Sequence, residues 1–389
     1  MGTTFQDVDW SAPGGARLVS VRDAVFGLGS LALVGTYGYA YTSIEPGDPV
    51  AFGWAVGRLE WLWLASILGV VYAAWPLVTR RERTLRYLRR LRTNPVGVVA
   101  GLYLAAFFLT ATLGPVLLDP PAPAFVYGDL PPVGFSIDAA VADGCKNLVG
   151  NTCYGTWAHP LGTTEGGKDV LGLVVYGSRL ALEIAMVGAV VIVPLATVVG
   201  TAAAGIGGWV DDLTTGVIDV QRTVPALFVF LVVRILTGEG SVFFLVLIFG
   251  LIKWGSVASV VRSRALDETD KGYVTAARSA GASQWRVIKD HLIPNVSHVA
   301  LTAAILQVPF FIIVEATLSY LQVGSFMPSP ILTTPPTTIS WGTVIAQNVR
   351  QIGTIWWTSV FPVLALFITV LALNVFGDTL RGVLDPRAR

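Results

Sequence analysis

Eight stretches of this chain, at roughly 24–43, 60–78, 96–118, 179–207, 213–236, 242–262, 298–323 and 355–379, each run for about 20 residues with little charge. That is the length a helix needs to cross the hydrocarbon layer of a bilayer. The composition agrees: 53% of the 389 residues are hydrophobic and 13% charged, with a mean hydropathy of +0.66. An ordinary soluble domain is far less apolar. A net charge of +1 gives no argument for a nucleic-acid partner. The first twenty residues lack the short basic start and apolar core of a signal peptide, so no cleavage is expected. The chain reads as an all-α polytopic membrane protein.

Arginine and lysine set the expected orientation. The connection TRRERTLRYLRRLRTN, 79–94, carries seven arginines, and a second connection holds Arg262, Arg264, Lys271, Arg278, Arg286 and Lys289. Positive charge accumulates on the cytoplasmic side, so both connections are expected inside, and eight spans then put both termini inside. The segments 44–59, 119–178 and 324–354 fall outside and carry only Arg58, Lys146, Lys168 and Arg350 as basic residues. Cys145 and Cys153 lie close together in the second of these. On an oxidising face they most simply form a disulfide, with a pair of free thiols as the alternative. No histidine set accompanies them to make a metal site.

The cytoplasmic stretch YVTAARSAGASQWRVIKDHLIPN, Tyr273 to Asn295, reads as soluble helix between two apolar runs. Tyr273, Ala276, Ala277 and Ala280 recur at i, i+3, i+4 and i+7 and line one helix face, with Lys271, Thr275, Arg278 and Ser279 on the other. Gly281 is expected to break this helix and Ser283 to cap a second, whose Trp285, Ile288 and Leu292 form a stripe that Pro294 ends. Helices this short do not hold together alone in water, so the elbow must dock. A lipid surface is one destination. The small alanines of the first stripe favour close packing on another helix.

This stretch resembles the cytoplasmic signature of ABC importer permeases, in which Glu-Ala-Ala is followed by a glycine and then by a hydrophobic residue and proline. Ala276, Ala277, Gly281, Ile293 and Pro294 match in register, with Thr275 in place of the glutamate. The blocks YLRRLRTNPVGVVAGLYLA, HPLGTTEGGKDVLGLVVYGSRLAL, GGWVDDLTTGVIDVQRTVP, EATLSYLQVG, SWGTVI and NVFGDTLRGVLDPR are similar, in this order, to blocks of the dipeptide/oligopeptide (peptide/nickel) subfamily. Together they cover most of 87–389. The resemblance implies an ABC importer type I permease core preceded by two additional N-terminal spans. The domains are then expected at 1–94 (extension and basic loop), 95–178 (first family-type span and external loop) and 179–389 (core with the elbow at 264–297).

The resemblance further implies a binding-protein-dependent transport subunit of the cytoplasmic membrane that moves di- or oligopeptides. Tyr273, Ala276, Ala277, Gly281, Ile293 and Pro294 would couple it to an ATPase. Its implied partners are a second homologous permease, two ABC ATPase subunits that bind the ATP and magnesium, an external substrate-binding protein and membrane lipid. Nickel chelates or glutathione are alternative cargoes on the same scaffold. The segment FMPSPILTTPPTTI, 326–339, lengthens the loop before Trp341, and Arg222 stands where the family is usually apolar.

The segment GTTEGGKD, Gly162 to Asp169, approaches a phosphate-binding loop, but Asp169 replaces the hydroxyl that would hold magnesium. It reads as a turn-rich segment, so the ATPase is expected on another polypeptide and no cofactor in this one. An enzyme is disfavoured too: His159, His291 and His298 are the only histidines and no H-E-x-x-H occurs.

Glu183, Asp219, Arg222, Lys253 and Glu315 fall inside the apolar runs, where charge is costly. One reading has Lys253 first, then Glu183 and Glu315, lining a polar path. The other pairs them with neighbours, as Asp219 and Arg222 at i and i+3 permit. An ion-coupled carrier using Glu183 and Glu315 as proton sites is the competing transport class, though no obvious inverted repeat accompanies them.

Overall fold

A computed structural model describes residues 21–43, 58–79, 81–238, 241–321 and 339–384 of the chain. Most of the lengthened loop before Trp341 and the two termini lie outside these residues. The chain divides into two compact units, Met1–Thr84 and Leu85–Arg389.

The first unit is a hairpin of α1 (Val21–Ser43) and α2 (Arg58–Thr79). Its helices run antiparallel, since Phe26 meets Tyr72 at one end and Tyr37 meets Trp61 at the other. A polar clasp closes it: Arg22 Nη2 donates to Tyr72 Oη at 3.0 Å, and that hydroxyl donates to Asp23 Oδ1 at 3.1 Å. The basic connection forms α3 (Arg81–Leu91), which carries the division between the units.

In the second unit, α4 (Pro95–Leu117) starts at Asn94, whose Oδ1 accepts from Gly97 N, with proline at the first turn where its missing N–H costs nothing. A loop follows that folds back on itself as a small antiparallel sheet of β1 (Ser136–Asp138), β2 (Leu148–Val149) and β3 (Thr152–Tyr154), in the order β1-β3-β2. This sheet departs from the all-α expectation. Strands of two or three residues have no periodicity to read.

Asp169 caps α5 (Val170–Ile206), which at 37 residues is about 55 Å long and begins well before the expected span. After it come α6 (Trp209–Thr223), α7 (Ala226–Thr237) and α8 (Val242–Thr269). The expected span 213–236 is therefore two helices, bent by 80°. Pro225 removes a backbone donor and holds Val224 extended, at φ −85° and ψ 118°, which a helix cannot continue through.

The elbow comprises α9 (Gly272–Ser279), α10 (Gln284–Arg286) and a π-helical turn over Val287–Leu292, and it leads into α11 (Ile293–Ile305) and α12 (Val308–Leu321). Pro294 does not end the second elbow helix, contrary to expectation. Ile293 N donates to Ile288 O, five residues back, and this wider turn makes room for the proline ring so that helix continues into the next span. The last elements are α13 (Trp341–Asn348) and α14 (Trp357–Leu384).

Six helices among the described residues are long and apolar enough to cross a membrane, or seven if the bent α6–α7 pair counts as one. The eight expected spans reduce to this number because α1, though helical where a span was expected, is not among them. It carries Arg22 and Asp23 near its start and four glycines and three tyrosines along its length. Lipid gives apolar helix faces no hydrophobic reason to associate, so the bundle relies on close packing. Phe230, Phe249, Phe311, Ile184 and Leu245 are fully buried at its centre.

Candidate functional site

The elbow sits at the C-terminal end of α5, and the sheet-bearing loop at its N-terminal end. Val274, Val287, Ile288 and Leu292 are buried together under the elbow, with Ala282 and Ile293 packed against them. The π turn decides this grouping. At α-helical spacing Trp285, Ile288 and Leu292 form the stripe, but the wider turn rotates Val287 inward and leaves Trp285 65% exposed.

Gly205, one residue from the end of α5, has no side chain to keep Ile288 away: a Cβ there would lie 2.5 Å from Ile288 Cγ1. Gln284 Nε2 donates to the Gly205 carbonyl. Gly281 takes the left-handed conformation, φ +83°, that turns the chain between the two short helices, and Ser283 Oγ accepts from Arg286 N as the second cap.

The other end of the elbow is tied to α8. The nearly buried Glu268 carboxylate accepts from Lys271 Nζ and, at 2.7 Å, from Tyr273 Oη, and it pairs with Arg264 Nη2 at 3.3 Å. Burial first, and then the bond to that carboxylate, push the Tyr273 phenol up to about 12. Arg262 grips Asp211 with two guanidinium nitrogens and so joins α8 to α6. A displacement of the elbow therefore acts on α5 through packing and one hydrogen bond, on α8 through polar ties, and on α11 through chain continuity. Its outer side stays uncovered: Tyr273, Ala276, Ala280 and Trp285 are exposed, Ala277 is half-buried, and Thr275 and Arg278 lie between them in the open.

The intramembrane charges separate into two kinds. Glu183 accepts from Arg179 Nε at 2.9 Å, and Glu315, 3% exposed, accepts from Ser319 Oγ at 2.6 Å. Asp219 and Arg222 pair at 3.8 Å, both more than half exposed. Lys253 differs. Its ammonium lies 4.7 Å from the centroid of the Phe310 ring and makes no ion pair among the described residues. Along α8 it is followed by half-buried Ser256, which accepts from Gln307 Nε2 at 3.1 Å, and Ser259, which accepts from Arg222 Nη2 at 2.9 Å. The result is a polar strip on one half-exposed side of α8.

Cys145 and Cys153 are joined by a disulfide that links the two ends of the hairpin-like turn leading into β3. Thr163 Oγ1 donates to Tyr127 O at 2.6 Å and accepts from Leu130 N at 2.8 Å, while Trp357 Nε1 donates to Thr163 O at 3.0 Å. Backbone amides of the glycine-rich segment point inward: Gly162 donates to His159 O and Gly167 to Thr164 O. Asp169, at the position a phosphate loop gives to a hydroxyl, caps α5. Asp129 sits at φ +56°, and burial, then the neighbouring charges of Glu165 and Asp143, raise its carboxyl to about 6. A cavity of about 150 Å³ beside it is lined by Tyr127, Lys146, Tyr154 and His159, among others. Among the described residues no three His, Cys, Asp or Glu side chains converge to hold a metal ion.

Glu268, Gln284, Val274, Gln307 and Phe310 escaped notice in the sequence. Glu268, Lys271 and Tyr273 are close enough in the chain to have signalled the first tie, whereas Gln284 meets a carbonyl 79 residues away.

Residues 193–389 match the family model described as the binding-protein-dependent transport system inner membrane component. The matched half includes both the elbow and the polar strip. The chain is 32% identical over 232 residues to the oligopeptide transport system permease protein OppC of Haemophilus influenzae, covering 59% of this chain and 71% of that one. It is 35% identical over 232 residues to a putative peptide transport system permease protein of Brucella suis, covering 59% and 74% respectively. A putative peptide permease protein of the same organism is 31% identical over 235 residues, covering 60% and 74%.

Proposed function

The chain belongs to the family of binding-protein-dependent transport system inner membrane components, and from that premise we propose that it is the permease subunit of an ATP-driven importer of di- or oligopeptides. It is a multi-pass protein of the cytoplasmic membrane and a transport subunit. In this reading a second, homologous permease completes the pathway, two ATPase subunits bind the elbows from the cytoplasm, and an external binding protein delivers cargo to the loop side. Both termini then lie inside. Closure of the ATPases on ATP favours an outward-open bundle, and hydrolysis resets it.

The observation that carries the reading is the two-sided build of the elbow. Its inner side is fastened to α5 and α8 and runs unbroken into α11, while its outer side presents Ala276, Ala280 and Trp285 uncovered. A handle for an external force needs both properties. Ala276, Ala277, Gly281, Ile293 and Pro294 then serve different ends: the alanines give a partner close approach, Gly281 sets the bend, and Ile293 and Pro294 carry the motion into α11. Glu183 and Glu315 take internal partners, which makes them structural, and Lys253 is left to line the path.

Replacing the exposed Ala276 by tryptophan tests this directly, because the inner packing is untouched. The variant is expected to insert normally and lose its ATPase subunits on purification, together with ATP-dependent uptake in proteoliposomes. Full retention of the ATPases, or uptake by the purified chain that follows a proton gradient without ATP, would overturn the reading.

A further inference from the structure

We infer that Lys253 is the seat for a carboxylate of the transported solute, so that the pathway itself favours cargo with a free carboxylate over its neutral analogue. The inference rests on the transport reading above and deepens it.

Position is the first ground. Lys253 lies eleven residues into α8, about 16 Å from its start, with about 24 Å of helix beyond it. A lysine near a helix end can extend its ammonium to the interface, but one at this depth stays at its own level.

The second ground is its company. The other intramembrane charges have found partners: Arg179 for Glu183, the Ser319 hydroxyl for Glu315, and each other for Asp219 and Arg222. Lys253 has no carboxylate among the described residues and instead rests on the Phe310 ring. An aromatic face attracts a cation without neutralising it and accepts no conventional hydrogen bond, so the three ammonium donors stay available while the side chain is held in place.

The third ground is what continues the site. Lys253, Ser256 and Ser259 recur every three residues along α8, with the amide of Gln307 on the middle serine and the guanidinium of Arg222 on the last. Ser259 is six residues beyond Lys253, so Arg222, which donates to its hydroxyl from α6, brings a second cation about 9 Å along the same strip. A strip of donors bearing one unneutralised ammonium and a further guanidinium suits an anion. A planar carboxylate, such as the C-terminus of a short peptide, fits this chemistry, since it accepts from the ammonium and from neighbouring amide or guanidinium N–H donors together, the Ser256 and Ser259 hydroxyls already donating to the Lys253 and Ser256 carbonyls.

The test uses the whole transporter, with its binding protein and ATPases, in proteoliposomes. A tripeptide library supplied half as free acids and half as C-terminal amides is the probe, and initial uptake of each form is read by mass spectrometry. The same binding protein serves every variant, so its own selectivity cancels from the comparison. Loss of one charge-assisted contact predicts that Lys253→Gln lowers the acid-to-amide uptake ratio at least about tenfold relative to wild type, and that Lys253→Arg largely restores it. Co-purification of the ATPases shows that each variant is folded. An unchanged ratio in Lys253→Gln overturns the carboxylate seat and leaves the transport reading standing. Absence of ATP-dependent uptake of both forms by wild type removes the transport reading itself, and this inference with it.

Discussion

Glu268→Gln should loosen the elbow without unfolding the bundle. The carboxylate side chain is 4% exposed and holds three groups: Lys271, Arg264 and the Tyr273 hydroxyl. Removing one member of a buried ion pair costs about 3–5 kcal/mol when the other is stranded. Neither cation is stranded here. Lys271 is 44% exposed and returns to water, and Arg264 keeps Asp267 at 3.6 Å. What remains is the charge assistance of the bond to Tyr273, since glutamine still accepts from that hydroxyl as a neutral partner; its loss is worth about 1–1.5 kcal/mol, plus a small screened contribution from the cations. About 1–2 kcal/mol favours the undocked elbow, a shift of roughly 5- to 30-fold in the opening equilibrium. The four buried residues beneath the elbow still hold its second half, so the effect should be confined to α9. Hydrogen exchange in detergent or nanodiscs measures this: amides of 272–280 should lose protection by about that factor while α5 and α8 keep theirs. Equal protection in variant and wild type would show that Glu268 is not what ties the elbow to α8.

Trp285→Ala removes an exposed ring from the outer face of the elbow and should leave thermal stability unchanged, yet weaken ATPase binding by about 2 kcal/mol as measured by titration of the purified subunits. Asp129→Asn should stabilise the loop at neutral pH by about 1 kcal/mol after allowance for solvent screening, and asparagine tolerates the same positive φ. The sign follows from a folded-state value raised to about 6: wild-type loop stability is greatest near pH 4 and falls as pH rises through 6, and the variant should lose that slope in pH-dependent proteolysis. Replacing Cys145 and Cys153 by serine should destabilise the loop by about 2.5 kcal/mol, from the eight-residue separation they close, and show as faster cleavage between β1 and β3. Equal cleavage rates with and without reductant in the wild type would count against that figure.

The features legible beforehand were those written locally. A run of about 20 apolar residues becomes a helix because its own backbone closes the hydrogen bonds, so α4, α8 and α14 lie where the composition placed them. The bend at Val224 and the turn at Gly281 follow from single residues that restrict or free the dihedrals. Pro294 misled for an instructive reason: proline forbids the ordinary turn, but a π turn five residues wide admits it, and nothing in the local sequence announces that choice.

From the sequence alone came the membrane class, the position of the elbow and the motifs that mark its family, because each depends on residues adjacent in the chain. Only the tertiary structure decided which side of the elbow turns inward and which intramembrane charges find partners. Those outcomes depend on groups brought together from far apart, such as Gln284 with the Gly205 carbonyl and Lys253 with the Phe310 ring. A side chain in a bundle is satisfied or left available by what the neighbouring helix presents at its depth, and that is a property of packing.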